Sequence, residues 1–350
     1  MYTRELVEAP DKLIKNGKAQ FGTYKGVSPK IDIKGMFAPY AGLPVPTFLS
    51  NLRIKSRLNY VFSIDSYFGK ASFMDFKIIG ICEIFFWNKQ TGKKYVYHEI
   101  MPPRRRLIPL LTTRGICASY RKSRFLKISW GRQHQHHAMT FKMKGDSARP
   151  SAEGYFFSPI EDDMHCDVML VNPSPTSSRC LATWLSSMSI KGHLTLNKEE
   201  ADDSQGLAMM NLNRAYFKLR SKATLLYGLD SVNDKKIAFF IKTSNMDAAD
   251  ADSYNENILF VNGEATPLPP VYITHPFGLD DKWIIQDTEN MIDLTFHPLS
   301  RTSKTLNLVA LRTSYNTLYG SFEGVLLTKD GEKISLKGFP GIIYKNLLRL

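Results

Sequence analysis

The chain has 350 residues, 43% of them hydrophobic and 23% charged. That excludes a disordered chain and a single small domain, and fits two β-rich domains or one large one. Its net charge of +13 is the compositional outlier: either a solvated basic surface or the mark of an anionic partner.

From the N-terminus, Met1 to Glu8 carries charges where a signal peptide needs an apolar core. The first fifty residues are rich in Gly and Pro and read as a loop-like lead-in. Strand candidates fill Leu58 to Trp87, and Lys94–His98 answers them across a longer hairpin loop. The most apolar run, Ile78 to Trp87, contains Glu83 and is too short to cross a bilayer. Further strands are expected at Phe125–Trp130, Met139–Met143, Asp167–Val171 and Met188–Leu196. The polar stretch Asn197 to Gly206 reads as the linker, dividing the chain into domains 1–196 and 197–350. Beyond it come strands at Ala223–Gly228, Lys236–Thr243 and Ile258–Val261, the last closed by an Asn262-Gly263 hairpin turn. Short helices are conceivable near Asp11 and at Met246–Asp252. Met291 to Gly338 reads as a run of short strands, with Asp330-Gly331 expected to form a type I′ turn in which both central residues take φ > 0. Many short strands with few short helices define an all-β protein, sandwich or barrel.

Four widely spaced cysteines (Cys82, Cys117, Cys166, Cys180) form no Cys-x-x-Cys pair and are expected as free thiols in a reducing, cytoplasmic setting. His134, His136 and His137 offer metal-ligand spacing on a strand but lack a third and fourth ligand nearby. Their flank, Gly131-Arg132-Gln133, resembles an exposed turn, so the segment reads as a solvated loop and no metal site is expected. Glu161-Asp162-Asp163-Met164-His165-Cys166 could supply a metal or nucleophile pair, but reads as an acidic turn entering a strand, since catalytic partners usually come from separated segments. Phosphate-loop, nucleophile-elbow, zinc-protease and dinucleotide signatures are all missing from the sequence, and no cofactor is expected. Basic residues Arg104, Arg105, Arg106, Arg121, Lys122 and Arg124 are the candidates for an anionic surface. No aromatics interleave with them as in a base-stacking sheet, so no specific nucleic acid is expected.

Ile292-Asp293-Leu294-Thr295-Phe296-His297-Pro298, Tyr319-Gly320-Ser321-Phe322-Glu323-Gly324 and Asp330-Gly331-Glu332 resemble the domain-of-unknown-function 2804 family. Gly228, Asn255–Gly263 and the opening Leu13-Ile14-Lys15-Asn16-Gly17-Lys18 also fit its pattern. The resemblance implies two lipocalin-like (calycin-type) β-barrel halves, similar to hydroxyneurosporene-synthase and AttH-like proteins, some of which act on terpenoids or polyketides. Ser221 and Ala223 stand where the family tends to place tryptophans, and the tail Gly341 to Leu350 departs from its usual acidic, His and Trp residues.

Three readings follow. The first is a binder of a hydrophobic small molecule, a lipid or isoprenoid, in a barrel cavity. The second is a hydratase, isomerase or cyclase working by acid–base chemistry, which buried Asp, Glu or His side chains converging in one barrel would favour. The third is a protein docking through a basic face on anionic lipid or protein. The sequence names no catalytic or ligand-binding residue.

Overall fold

A computed structural model describes the chain except residues 1, 3, 38, 41–44, 78, 103–106, 122–123, 132–135, 160–161, 198, 200, 309–310 and 350, and except the side chains of 47, 136, 308 and 311. Strands make up nearly all of the regular structure. The one helix among the described residues is Thr47–Leu52, which the sequence reading missed. Met246–Asp252 forms turns and bends rather than a helix.

The first sheet has 13 strands. Its main path runs through neighbours Lys94–Met101, Gly80–Asn88, Tyr67–Asp75, Ile54–Ile64, Ser204–Tyr216, Cys180–Leu196, Ala152–Phe157, His136–Met143, Arg124–Gly131 and Arg114–Arg121. Cys166–Pro173 branches from Cys180–Leu196 and pairs in turn with Gly22–Lys25. The path curls into a near-closed barrel whose two ends are stitched by side chains. Ser119 donates to Glu99 at 2.7 Å, Arg121 pairs with Glu99 at 2.5 Å, and Arg124 donates to the His98 carbonyl at 3.0 Å.

The second sheet has 9 strands, in the order Glu264–Pro267, Ile258–Val261, Lys235–Ser244, Arg220–Val232, Lys333–Arg349, Leu311–Leu327, Ile292–Leu308, Trp283–Gln286 and Tyr272–Thr274. It forms a half-barrel. Asn262 and Gly263 take φ of 46° and 79°, the turn expected there. At the other predicted turn only Gly331 is positive, at 81°. The Asp-Gly hairpin forms, but as a longer loop closed by Thr328 bonding Glu332 rather than as type I′.

Side-chain period explains the burial. In Ile54–Ile64, Leu58, Tyr60 and Phe62 point into the first barrel, while Val61, between them, packs against the second sheet. Both faces are covered, so the strand is buried nearly throughout. Lys94–Met101 has one wet face and alternates cleanly. A third apolar layer, including Phe85, Trp87, Met209, Tyr227, Phe240 and Tyr344, glues the sheets together.

One expectation needs correction. The closing strands are not short: each of three has 17 residues. Pro298 sits where the register shifts between Pro298 and Ser300, a bulge that tolerates the missing N–H. Ser204–Tyr216 pairs with Cys180–Leu196 and Ile54–Ile64, and the crossing between sheets falls at Phe217–Leu219.

Candidate functional site

At one end of the first barrel, four strands aim aromatic and ionisable side chains inward. Trp130 extends the inward row of Leu126 and Ile128, and His137 that of Met139 and Phe141. Asp167 shares a face with Met169 and Val171, and Trp184 with Ala182 and Cys180. They line a cavity of about 320 Å³ with Val27, Pro29, Thr112, Thr113 and His165.

One carboxylate organises the site. Asp167 Oδ1 accepts the indole N–H of Trp184 at 2.9 Å, and Oδ2 lies 3.3 Å from His165 Nε2. His137 stacks on His165 with ring centroids 5.7 Å apart and leans on Trp184 at 5.9 Å. Trp130 meets Trp184 edge to face at 5.8 Å and donates its N–H to the Leu111 carbonyl at 3.2 Å. Its ring lies over Gly115 on the paired strand, where a Cβ would sit 2.3 Å from the indole. Only glycine leaves the room.

Charge reinforces this geometry. The hydrogen bond that His165 donates to Asp167 raises the pKa of His165 above its ordinary value, with burial opposing and the charges of Asp167 and Asp162 adding to it. Burial pushes the Asp167 carboxyl upward, but bonding to His165, that ring's charge and the Trp184 N–H outweigh it, and its pKa is lowered. A carboxylate thus favours the protonated form of an imidazole at the edge of a cavity walled by two indoles. Such an arrangement can bind a flat apolar molecule and hand it a proton.

Two other hollows compare poorly. A crevice of about 330 Å³ between the sheets is charged, and four of its charges are paired with each other: Lys236 with Asp163 at 2.7 Å and Lys89 with Asp230 at 3.9 Å. A gap of about 50 Å³, lined by Phe217, Leu225 and Phe240 as well as Arg57, Lys242 and Glu256, is too small for a ligand of the usual 300 Å³ or so.

His137 and His165 come from the two polar clusters noted in the sequence, and the barrel brings them together. His137 is 8% exposed and faces the interior, so it does not sit in a solvated loop. His134 and the His136 side chain lie outside the described residues, as does Glu161. Asp162 and Asp163 do form a turn into a strand, with Asp162 accepting the Met164 and Ser189 backbone N–H groups. Among the described residues no group of three or more His, Cys, Asp or Glu is arranged to hold a metal. Cys82, Cys117 and Cys180 are buried and Cys166 half-buried, all free. Arg121 and Arg124 are both engaged at the barrel seam. Arg104, Arg105, Arg106 and Lys122 lie outside the described residues. Trp130, Trp184 and Asp167 were not singled out from the sequence. The one local signal was the spacing of His165, just before the strand Cys166–Pro173, and Asp167 within it.

Fold and site together define a two-barrel protein with a polar-floored cavity in its first barrel. The chain belongs to the family described as "domain of unknown function (DUF2804)", which matches residues 4–349. Among solved structures it is similar to an AttH-like protein from Nitrosomonas europaea, at 10% identity and a TM-score of 0.46 over 89% of this chain and 98% of the other. It is also similar to kievitone hydratase from Nectria haematococca, at 10% identity and a TM-score of 0.36 over 92% and 98%. CghA solved with Sch210972 aligns at 10% identity and a TM-score of 0.41, over 94% and 98%. No curated protein matches the chain. No helix among the described residues is long and apolar enough to cross a membrane.

Proposed function

We propose that the protein binds a small, flat, apolar molecule in the mouth of its first barrel and moves a proton on it, as an isomerase or hydratase does. The observation that carries this is the His165–Asp167 pair set beside Trp184 in a cavity of about 320 Å³. A cavity of this size suits a small ligand. Indole faces favour planar, unsaturated surfaces, while the protonated imidazole supplies the acid and its conjugate base recovers the proton. Asp167 is the positioning residue, because it fixes both the ring and the tautomer.

Solvent extraction of the purified protein followed by mass spectrometry tests the binding. An apolar molecule is expected from the wild type and is lost in Trp184→Ala. The recovered molecule, incubated with protein in heavy water, should take up deuterium with the wild type and not with His165→Gln. No extractable molecule, or uptake unchanged in His165→Gln, would overturn the proposal.

A further inference from the structure

The strands of the second sheet outrun its apolar core at one end. Leu226, Ile343 and Leu318 are core residues in register on neighbouring strands. Moving outward two residues at a time, the same face turns polar. Thr224, Lys345, Asn316 and Ser303 form the first rank; Lys222, Leu347, Ser314 and Thr305 the second; Arg220, Arg349, Arg312 and Asn307 the third. No Asp or Glu stands in any of them. Arg301, in register with Leu318 one rank inward of the first, pairs with Asp280 at 2.7 Å. Lys345 is committed to the His275 ring at 2.6 Å and the Trp283 face at 5.4 Å. Its pKa is lowered by burial and then by the charge of Lys222, so the two cations feel each other.

Three arginines side by side on adjacent strands repel one another, and like charges directly opposite destabilise a sheet. Folding gains nothing from the arrangement; an anion laid across it does. The same end also exposes apolar side chains. Leu219, next to Arg220, is 63% exposed, and the helix Thr47–Leu52 exposes Phe48 (67%) and Leu52 (53%). That helix is tied to the strand leading into the rank: Arg53 donates to the Phe217 carbonyl at 3.0 Å, and the Phe217 N–H returns to the Arg53 carbonyl at 3.1 Å.

We propose that this end of the molecule docks on an anionic phospholipid surface, the arginine rank over headgroup phosphates and Leu219, Phe48 and Leu52 in the interface. Paired basic and apolar groups are what an interfacial site needs. A nucleic acid would instead call for aromatic rings among the cations, and the three ranks hold none.

Co-sedimentation with phosphatidylcholine vesicles, with and without about one-third phosphatidylglycerol, tests this. Binding should require the anionic lipid and collapse as salt rises from about 0.1 M to about 1 M, where the Debye length falls from about 10 Å to about 3 Å. Replacing the rank (Arg220→Gln, Arg312→Gln, Arg349→Gln) should weaken it about a hundredfold, roughly fivefold per arginine. Leu219→Ser should weaken it several-fold, while the exposed pair Lys142→Gln and Lys329→Gln should leave it unchanged. Circular dichroism melts keep folding separate from binding. The proposal fails if the triple variant, folded as the wild type, binds equally well. It also fails if phosphatidylcholine alone binds as tightly, or if a single-stranded oligonucleotide binds while vesicles do not.

Discussion

Lys242 and Glu256 form an ion pair buried where the two sheets meet. The Thr183 hydroxyl of the first sheet donates to Glu256, and Asn213 donates to Thr183 at 2.8 Å. The pair therefore fixes how one barrel sits on the other, at the expense of desolvating two charges. Removing one partner of such a pair leaves the other poorly compensated, here Lys242 with only the longer contact to Asp247 at 3.6 Å, whereas replacing both partners does not. Glu256→Gln should cost about 3–5 kcal/mol in denaturant unfolding. The double variant Lys242→Met with Glu256→Met should recover most of that loss.

A second polar link crosses the same interface. The Tyr227 hydroxyl accepts amide N–H groups from Asn59 at 3.2 Å and from Asn211 at 3.3 Å. All three residues are buried. Tyr227→Phe keeps the ring and its packing but leaves both amides short of an acceptor. A loss of about 1–3 kcal/mol is expected from chemical unfolding; a neutral result would mean that water takes the hydroxyl's place.

These two links show why some of the fold was legible in the sequence and some was not. Strands with one wet face, such as Lys94–Met101, announce themselves by alternation. Ile54–Ile64 carries Arg57 and Asn59 on a buried face, a polarity that only the opposing sheet explains. The third rank escaped notice because Arg220, Arg312 and Arg349 are isolated in sequence and gather only through register. His137 and His165 were seen separately, each without a partner. Closure of the barrel supplies the contact, and spacing along the chain carries no trace of it.

Lys70 is buried among the same interface residues, its ammonium 3.8 Å from the centre of the Tyr344 ring. Burial lowers its pKa to about 7, with Arg57 contributing and Glu83 opposing. The unfolded chain thus binds the proton more tightly, and stability is lost as pH falls from about 10 through the folded value. Lys70→Met should stabilise the protein by a few kcal/mol at or below neutrality. That advantage should shrink steadily towards pH 10. Thermal melts of both proteins across this range check it, and a gap independent of pH would contradict it.

The His165–Asp167 pair reverses that dependence on its basic side. His165 has a raised pKa, so its contribution is full below its ordinary value of 6.5 and is lost as pH rises through the folded value. Asp167 has a lowered pKa, so its contribution holds above its ordinary 3.8 and is lost as pH falls through the folded value. The pair stabilises the barrel mouth between those limits. In Asp167→Asn the largest influence raising His165 disappears, leaving burial to lower its pKa and the more distant charge of Asp162 to resist. Histidine ring NMR should place the His165 midpoint above 6.5 in the wild type and clearly lower in the variant. The stability difference between the two proteins should then narrow as pH rises past the wild-type midpoint. Equal midpoints would mean that the carboxylate does not hold the imidazole in its charged form, and the acid assigned to the cavity would be lost with it.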